Sequence, residues 1–451
     1  MIPVRLGEIA SAALVRGDPE LTITSIVSDS RLARPGALFV CLRGSRCDGH
    51  DFIAEAAVRG ATAVLCARGR SGSMPGLAAL EADDPLAALG GIASLVRRRS
   101  QARVLGVAGS VGKTSTKDVL RALLAPHLPT VASPASYNNE LGVPLTLSLL
   151  EAETAVCVCE LGTGAPGELA GLCRIAQPSL GVITAIGPEH LEFFGSIEAV
   201  AAEEATLIGA LPAGAPLVLP VGQRLLDPYR RSDLDEWTVG LDPSADVQPR
   251  AWRPGPEGTD LVLSVRDARV SLRTNLSLPH HQLALAAAVA ACAALGLPLD
   301  RIGDGAGTVE LSPWRGQERP LRIGGGVLIN DAYNANPLSL QAALEALAVR
   351  RDGGRAVAVL GEMAELGHDS TRWHAHAGKQ AADLGVDLLV AVGDGARAYL
   401  DGAAGRTRCC WFPDLRAAAR ALPSLLQPDD VVLLKGSRSA GLERLAEVIE
   451  R

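Results

Sequence analysis

Aromatic side chains are scarce: Phe, Trp and Tyr together make up 3% of the 451 residues. A core built on stacked rings is therefore excluded, and Ala, Leu, Val and Gly must fill the interior. Lysine is scarcer still. Of 43 basic residues only Lys113, Lys117, Lys379 and Lys435 are lysine. Each marks either a position that needs a compact ammonium or what a drift towards arginine left behind. A basic surplus is also missing; the net charge of −7 argues against a nucleic-acid surface. None of the nine cysteines (Cys41, Cys47, Cys66, Cys157, Cys159, Cys173, Cys292, Cys409, Cys410) forms a Cys-x-x-Cys pair, and several sit in apolar runs. That usage implies a reducing, cytoplasmic setting with neither a disulfide framework nor a zinc site. Arg5 and Glu8 stand where a secretory signal would be apolar. The uncharged run Leu283–Leu299 spans 17 residues, is rich in Ala and contains Pro298. It falls short of a membrane span and reads as a buried core helix.

What is present is organised around Val104–Leu124. Val104 to Ala108 fits a short buried strand. Gly109-Ser110-Val111-Gly112 is a loop whose glycines let backbone N–H groups approach a ligand. Lys113-Thr114-Ser115 opens a helix with Val119, Leu120, Leu123 and Leu124 on one face. A helix N-terminus binds phosphate; the lysine adds a charge for the β/γ-phosphates and the threonine offers Mg²⁺ a hydroxyl. The general P-loop pattern wants glycine where Val107 stands, but the short form G-x-x-G-K-[T/S]-[T/S] is met.

The length suggests about three domains. Residues 1–100 mix short strands and helices, with a loop expected over 69–76. The cluster Asp29-Ser30-Arg31, before a Pro-Gly turn, reads either as a diphosphate or nucleoside contact or as a solvated loop. Residues 101–308 carry the nucleotide loop. Ala155–Cys159 is a second buried strand ending on Glu160, a carboxylate well placed for Mg²⁺. Leu180–Ile186 is a third, running into Gly187-Pro188-Glu189-His190. His190 is a structural histidine or, beside Glu160, a metal ligand. The stretch 213–275 reads as an appended antiparallel section. In residues 309–451, strands at Val327–Ile329, Ala356–Leu360, Leu388–Gly393 and Val431–Leu434 alternate with helices. The whole is an α/β chain: a central parallel sheet, a C-terminal Rossmann-like doubly wound sheet and a smaller N-terminal α/β unit.

Several motifs fall at strand ends: Asp29-Ser30-Arg31, Asp48-Gly49-His50-Asp51-Phe52, Gly109–Ser115, Asn138-Asn139 with Gly142-Val143-Pro144, Glu160-Leu161-Gly162, Gly187–Glu192, Tyr333-Asn334-Ala335-Asn336-Pro337, Leu360–Met363 with Glu365-Leu366-Gly367, and Lys435-Gly436-Ser437-Arg438. Together they resemble the Mur ligase family, the ATP-dependent amide ligases of peptidoglycan synthesis, over nearly the whole chain. The Y-N-A-N-P and L-G-E-M-x-E-L-G runs point to the dipeptide-adding type, and the D-N-P-R motif of the diaminopimelate- or lysine-adding type is absent.

The resemblance implies that a substrate carboxylate takes the γ-phosphoryl of ATP and that an amine attacks the acyl phosphate. The implied substrates are UDP-N-acetylmuramoyl-tripeptide and D-alanyl-D-alanine, handled by a monomer with ATP and two Mg²⁺ ions. By resemblance, Gly109, Ser110, Val111, Gly112, Lys113, Thr114 and Ser115 hold the phosphates. Thr114, Glu160 and His190 serve the metal. Arg315 reaches the γ-phosphate, and Asp331 meets the ribose. Asn334 and Asn336 line the place where ATP and dipeptide meet. Asp29, Ser30 and Arg31 hold the uridine diphosphate end, Asn138 and Asn139 contact substrate, and Lys435 sits near the dipeptide. Domain closure is expected to gate the reaction.

Two departures stand out. The family usually places a lysine, carbamylated by CO₂ and binding the second Mg²⁺, where Glu204 stands. Its carboxylate ends about 3–4 Å nearer the backbone, a gap a bridging water could fill. Either Glu204 replaces the carbamate and frees activity from CO₂, or the second metal site is weakened. Gln282 and Leu285 stand where asparagines hold adenine, which predicts poorer contacts to the base. Against a working dipeptide ligase stand a paralogue joining other substrates and a nucleotide-binding scaffold.

Overall fold

The computed structural model describes all residues except 10–13, 45–46, 73–75, 352 and 451. The loop expected over 69–76 therefore lies partly outside the described residues; Arg68 to Gly72 form turns and bends. Three larger sheets follow one another along the chain, each inside one of the spans expected to be a domain. The first has five strands, ordered Leu14–Arg16, Ala78–Ala82, Ala63–Ala67, Ala37–Val40 and Ser25–Val27, parallel except at the first pair. Helix Pro85–Arg99 leads out of it, capped by Asp84, whose carboxylate accepts the amides of Leu86 and Ala87.

The second sheet has nine strands and positions the site. Arg103–Ala108 lies between Val156–Glu160 and Leu180–Ile183, all parallel. The register sets Glu160 opposite Val107 and Ile183 opposite Ala108, so three strand ends open on one place. The chain leaves Arg103–Ala108 for neighbours on both sides, the kind of switch point at which parallel sheets bind ligands. The expected third strand stops at Ile183 rather than Ile186. Thr184 and Ala185 turn instead onto the Gly109–Gly112 loop: the Thr184 hydroxyl donates to the Val111 carbonyl, and the Ser110 amide donates to the Ala185 carbonyl. Bonding to the loop replaces bonding in the sheet.

The stretch 213–275 is not an appendage. Pro216–Pro220 and Asp235–Val239 extend the same sheet in parallel, and only Val247–Gly255, Gly258–Val265 and Ala268–Thr274 run as an antiparallel meander at its edge. Helix Lys113–Leu124 buries Val119, Leu120, Leu123 and Leu124 against the Ala-rich helix His281–Ala294, which starts two residues before the expected run Leu283–Leu299 and ends before Pro298. Alanines there let the two helices close without large side chains. Among the described residues no helix is long and apolar enough to cross a membrane.

The third sheet is parallel apart from its edge strand Gln317–Pro320, in the order Val327–Asn330, Val431–Lys435, Ala356–Gly361, Leu388–Val392, Arg408–Phe412. Separate apolar clusters cover its two faces, as a doubly wound sheet requires. Asn330 pairs with Leu434 and Lys435 with Leu360, so the polar ends of these strands share one edge. That edge faces the nucleotide loop.

Candidate active site

The loop after Arg103–Ala108 is held by its own geometry. Gly109 adopts φ 117° and Gly112 φ 89°, left-handed values that glycine takes freely. A Cβ on Gly109 would stand 2.5 Å from Thr184 Oγ1 and 2.9 Å from the Ala185 carbonyl oxygen. The Gly109 N–H donates to Glu204 Oε2 at 2.6 Å. Lys113 Nζ folds back to donate to the Gly109 carbonyl. Burial alone would lower the Lys113 pKa, but Glu189, Glu204 and Glu160 outweigh it, and the ammonium is held above its ordinary value.

Thr114 Oγ1 donates to Glu160 Oε1 at 3.0 Å, and Asn138 Nδ2 donates to the same oxygen at 2.8 Å. Glu160 Oε2 is buried without a partner, as are one oxygen each of Glu189 and Glu204. Arg315 arrives from the third unit. Its Nη2 donates to Thr114 Oγ1 at 3.1 Å, its guanidinium stacks 4.0 Å from the Tyr333 ring, and its Nε has no partner. Asn336 caps helix Pro337–Arg350 through Ser339, and its Nδ2 donates to the Ser110 carbonyl at 3.4 Å. His190 Nδ1 meets Glu365 of the third unit.

Apart from Gly109 and Glu204, these groups line a polar cleft of about 430 Å³, together with Asn139, Asn334, Ser437 and Arg438. A second, more apolar cavity of about 520 Å³ lies on the other side of the loop. Ser115, Thr184, His280, His281, Asp331 and Lys435 line it. Both volumes suit small ligands. Arg315, Val111 and Gly112 touch both cavities.

Several expected residues land differently. Lys435, expected near the dipeptide, donates to Asp331 Oδ2 at 2.6 Å and to the Asn334 carbonyl at 3.0 Å, and faces the apolar cavity rather than the polar cleft. Asn139 accepts the Gly142 amide and so starts helix Gly142–Leu147, although it also lines the cleft. Asp29, Ser30 and Arg31 lie outside both cavities. Asp29 caps the short helix Ser30–Leu32 and clasps the Arg31 guanidinium, which holds its carboxyl down to about 2; Ser30 donates to Glu55. Neither Gln282 nor Leu285 lines the apolar cavity; Leu285 is buried in the helix core. His280 and His281 face the cavity instead, each with an unpartnered Nδ1, and burial pulls the His280 pKa down to about 4.

Glu189 belongs to the Gly187–Glu192 motif but had no expected role. It is buried 3.8 Å from Lys113 Nζ, and burial raises its pKa despite that cation. Its place after a strand end, next to His190, was the available signal. Lys117 is also buried, donating to the Ser133 and Ala135 carbonyls and paired with Asp118 at 2.6 Å. Among the four lysines only Lys379 has an exposed side chain.

The donor set fits Mg²⁺ at Thr114 and Glu160: hard oxygens, one carboxylate oxygen unclaimed, beside a phosphate-binding loop. Among the described residues no three His, Cys, Asp or Glu side chains converge as a protein-only metal cage does. Mg²⁺ needs no such cage, since it keeps waters and shares its shell with substrate phosphates. For a second ion, Glu204 is turned to the loop amide rather than into the cleft, with only its Oε1 unclaimed.

Comparison with known proteins agrees with this arrangement. Residues 107–293 match the Mur ligase middle domain, 318–438 the Mur ligase glutamate ligase domain, and 22–94 the Mur ligase family catalytic domain. The chain is 34% identical to the UDP-N-acetylmuramoyl-tripeptide–D-alanyl-D-alanine ligase of Mycobacterium leprae, over 99% of its own length and 97% of that protein. It is 31% identical to the Escherichia coli protein of the same name, over 100% and 99%. A crystal structure of MurF from Acinetobacter baumannii superposes with a TM-score of 0.86 at 28% identity, covering 99% of this chain and 98% of that one. MurF ligase from Thermotoga maritima in complex with ADP gives 0.81 at 27% identity, over 94% and 96%. With its three larger sheets, its nucleotide loop and full-length relatives of this kind, the chain belongs to the Mur ligase family.

Proposed function

We propose that this enzyme adds D-alanyl-D-alanine to UDP-N-acetylmuramoyl-tripeptide at the expense of ATP, through an acyl phosphate. The full-length match to relatives of that printed name carries the choice of substrates. A fold alone does not fix a substrate.

In this reading ATP lies across the Gly109–Ser115 loop, its base in the apolar cavity and its triphosphate in the polar cleft. The base meets His280 and His281 rather than the family's asparagines, and Asp331 with Lys435 lies within the same cavity for the ribose. Lys113, kept charged by three carboxylates, holds the β/γ-phosphates. Arg315 is already beside Thr114 and extends to the γ-phosphate. Thr114 and Glu160 hold Mg²⁺, with His190 nearby on the cleft wall. When bound, that ion neutralises charge on the phosphoryl group in flight. Asn334 and Asn336 border the place where the incoming amine meets the acyl phosphate, and Asn138 keeps Glu160 in position. Residues 1–100 bind the uridine diphosphate end through Asp29–Arg31, residues 101–308 bind ATP, and residues 309–451 receive the dipeptide and close over the nucleotide. The protein's work is positioning and charge neutralisation.

Phosphate release tests this. The reading predicts release from ATP only when the UDP-tripeptide and D-alanyl-D-alanine are both present. Release with neither would mark a plain ATPase. Release only with another amine would mark a paralogue, and no release with any amine a scaffold.

A further inference from the structure

Two residues with unfavourable backbones meet where the second and third units touch. His190 has φ 48° and Glu365 φ 62°, left-handed values that side-chain-bearing residues rarely adopt. Such strain persists only where surrounding contacts enforce it, and it gathers at functional sites. Here the enforcing contacts are mutual. The Glu365 carboxylate pairs with His190 Nδ1, and its carbonyl accepts the Glu192 N–H at 3.0 Å. A Cβ on Gly367 would stand 3.5 Å from Glu192 Cα, so the two segments are closely apposed.

The third unit presents Glu365 on a tethered segment. The Met363 amide donates to His374 Nε2 at 2.9 Å, the Ala364 amide to Ser437 Oγ at 2.8 Å, and the Ser437 amide to the Glu362 carbonyl at 2.9 Å. With Nδ1 occupied, His190 is left Nε2 for the cleft it lines, 4.0 Å from Glu189 Oε2. A carboxylate on one imidazole nitrogen fixes the ring and the tautomer that works at the other.

The geometry points to Glu365 as a positioning residue that the third unit lends to the second: it sets the His190 ring only while the two units are shut. Closure thereby completes the cleft with a side-chain orientation as well as with Arg315. This rests on the cleft being the site of phosphoryl transfer, as proposed above.

Glu365→Gln and Glu365→Asn in the full chain test it. Asparagine tolerates the left-handed backbone, so it removes the carboxylate's reach with little added strain. For Glu365→Asn, kcat is expected to fall about 10- to 100-fold while the KM for ATP stays near its wild-type value, and Glu365→Gln should recover part of the loss. In the double variant with His190→Ala, the rate should be no lower than with His190→Ala alone, since both changes remove one device. Amide exchange at 190–195, measured with ADP bound, should quicken in Glu365→Asn. An unchanged kcat, or losses that multiply in the double variant, would overturn the inference. If the wild type releases no dipeptide-dependent phosphate, the proposed function fails, and amide exchange decides this contact alone: equal exchange in wild type and Glu365→Asn would sink it.

Discussion

Glu204 shows most clearly how one residue recasts a site. It is fully buried, one oxygen holds the Gly109 amide at 2.6 Å, and the other has no partner. Burial raises its pKa while Lys113 and the Gly109 N–H pull it back. A carboxylate so placed braces the phosphate loop and offers one free oxygen, without CO₂ chemistry. Turnover should therefore be the same in CO₂-depleted buffer with or without bicarbonate; strong rescue by bicarbonate would contradict this. Glu204→Ala should also lower folding stability by about 1–3 kcal/mol, the cost of an orphaned buried amide, and Glu204→Gln, which keeps an acceptor, should not. Thermal unfolding of the two variants distinguishes them. Sequence gave notice of Glu204 by its substitution, but not of its partner. The loop amide is 95 residues away and reachable only once the sheet has assembled. The direction in which Lys435 points was hidden for a similar reason. Its strand end was legible, but the 2.6 Å pair with Asp331 turns it to the other cavity.

At the scale of elements, the loop Gly109–Gly112 depends on the segment that crosses it. Thr184 and Ala185 leave the sheet to bond the loop, and glycine at 109 leaves room for them. Gly109→Ala should cost about 1–3 kcal/mol in backbone strain alone and more from the clash at Thr184, with nucleotide affinity falling sharply. Calorimetry and ADP titration check this; a variant with wild-type melting and binding would contradict it. The apolar strands and the P-loop helix were legible because their periodicity is local. Where the third strand ended was not, because its last residues choose loop bonding over sheet bonding. The parallel pairing of Pro216–Pro220 and Asp235–Val239 was missed because such strands look alike whichever neighbour they join.

Across the whole molecule, two cavities flank one loop, and the third unit supplies a wall to each. Arg315, Asn336, Asp331, Lys435 and Glu365 all come from beyond residue 308. Their convergence was expected from motif order, whereas the split between a polar cleft and an apolar cavity needed the packing of the sheets. The division suits the proposed chemistry: the cavity proposed for the base is the more apolar one, and the cleft proposed for the phosphoryl groups gathers Lys113, Arg315, Arg438 and the carboxylates of Glu160, Glu168, Glu189 and Glu365. In the proposed reaction the terminal phosphoryl of ATP passes to a substrate carboxylate. Labelling that carboxylate with ¹⁸O and analysing the released phosphate by mass spectrometry follows the transfer. One ¹⁸O atom per phosphate is the predicted result; phosphate free of label, at a rate matching amide formation, would contradict it.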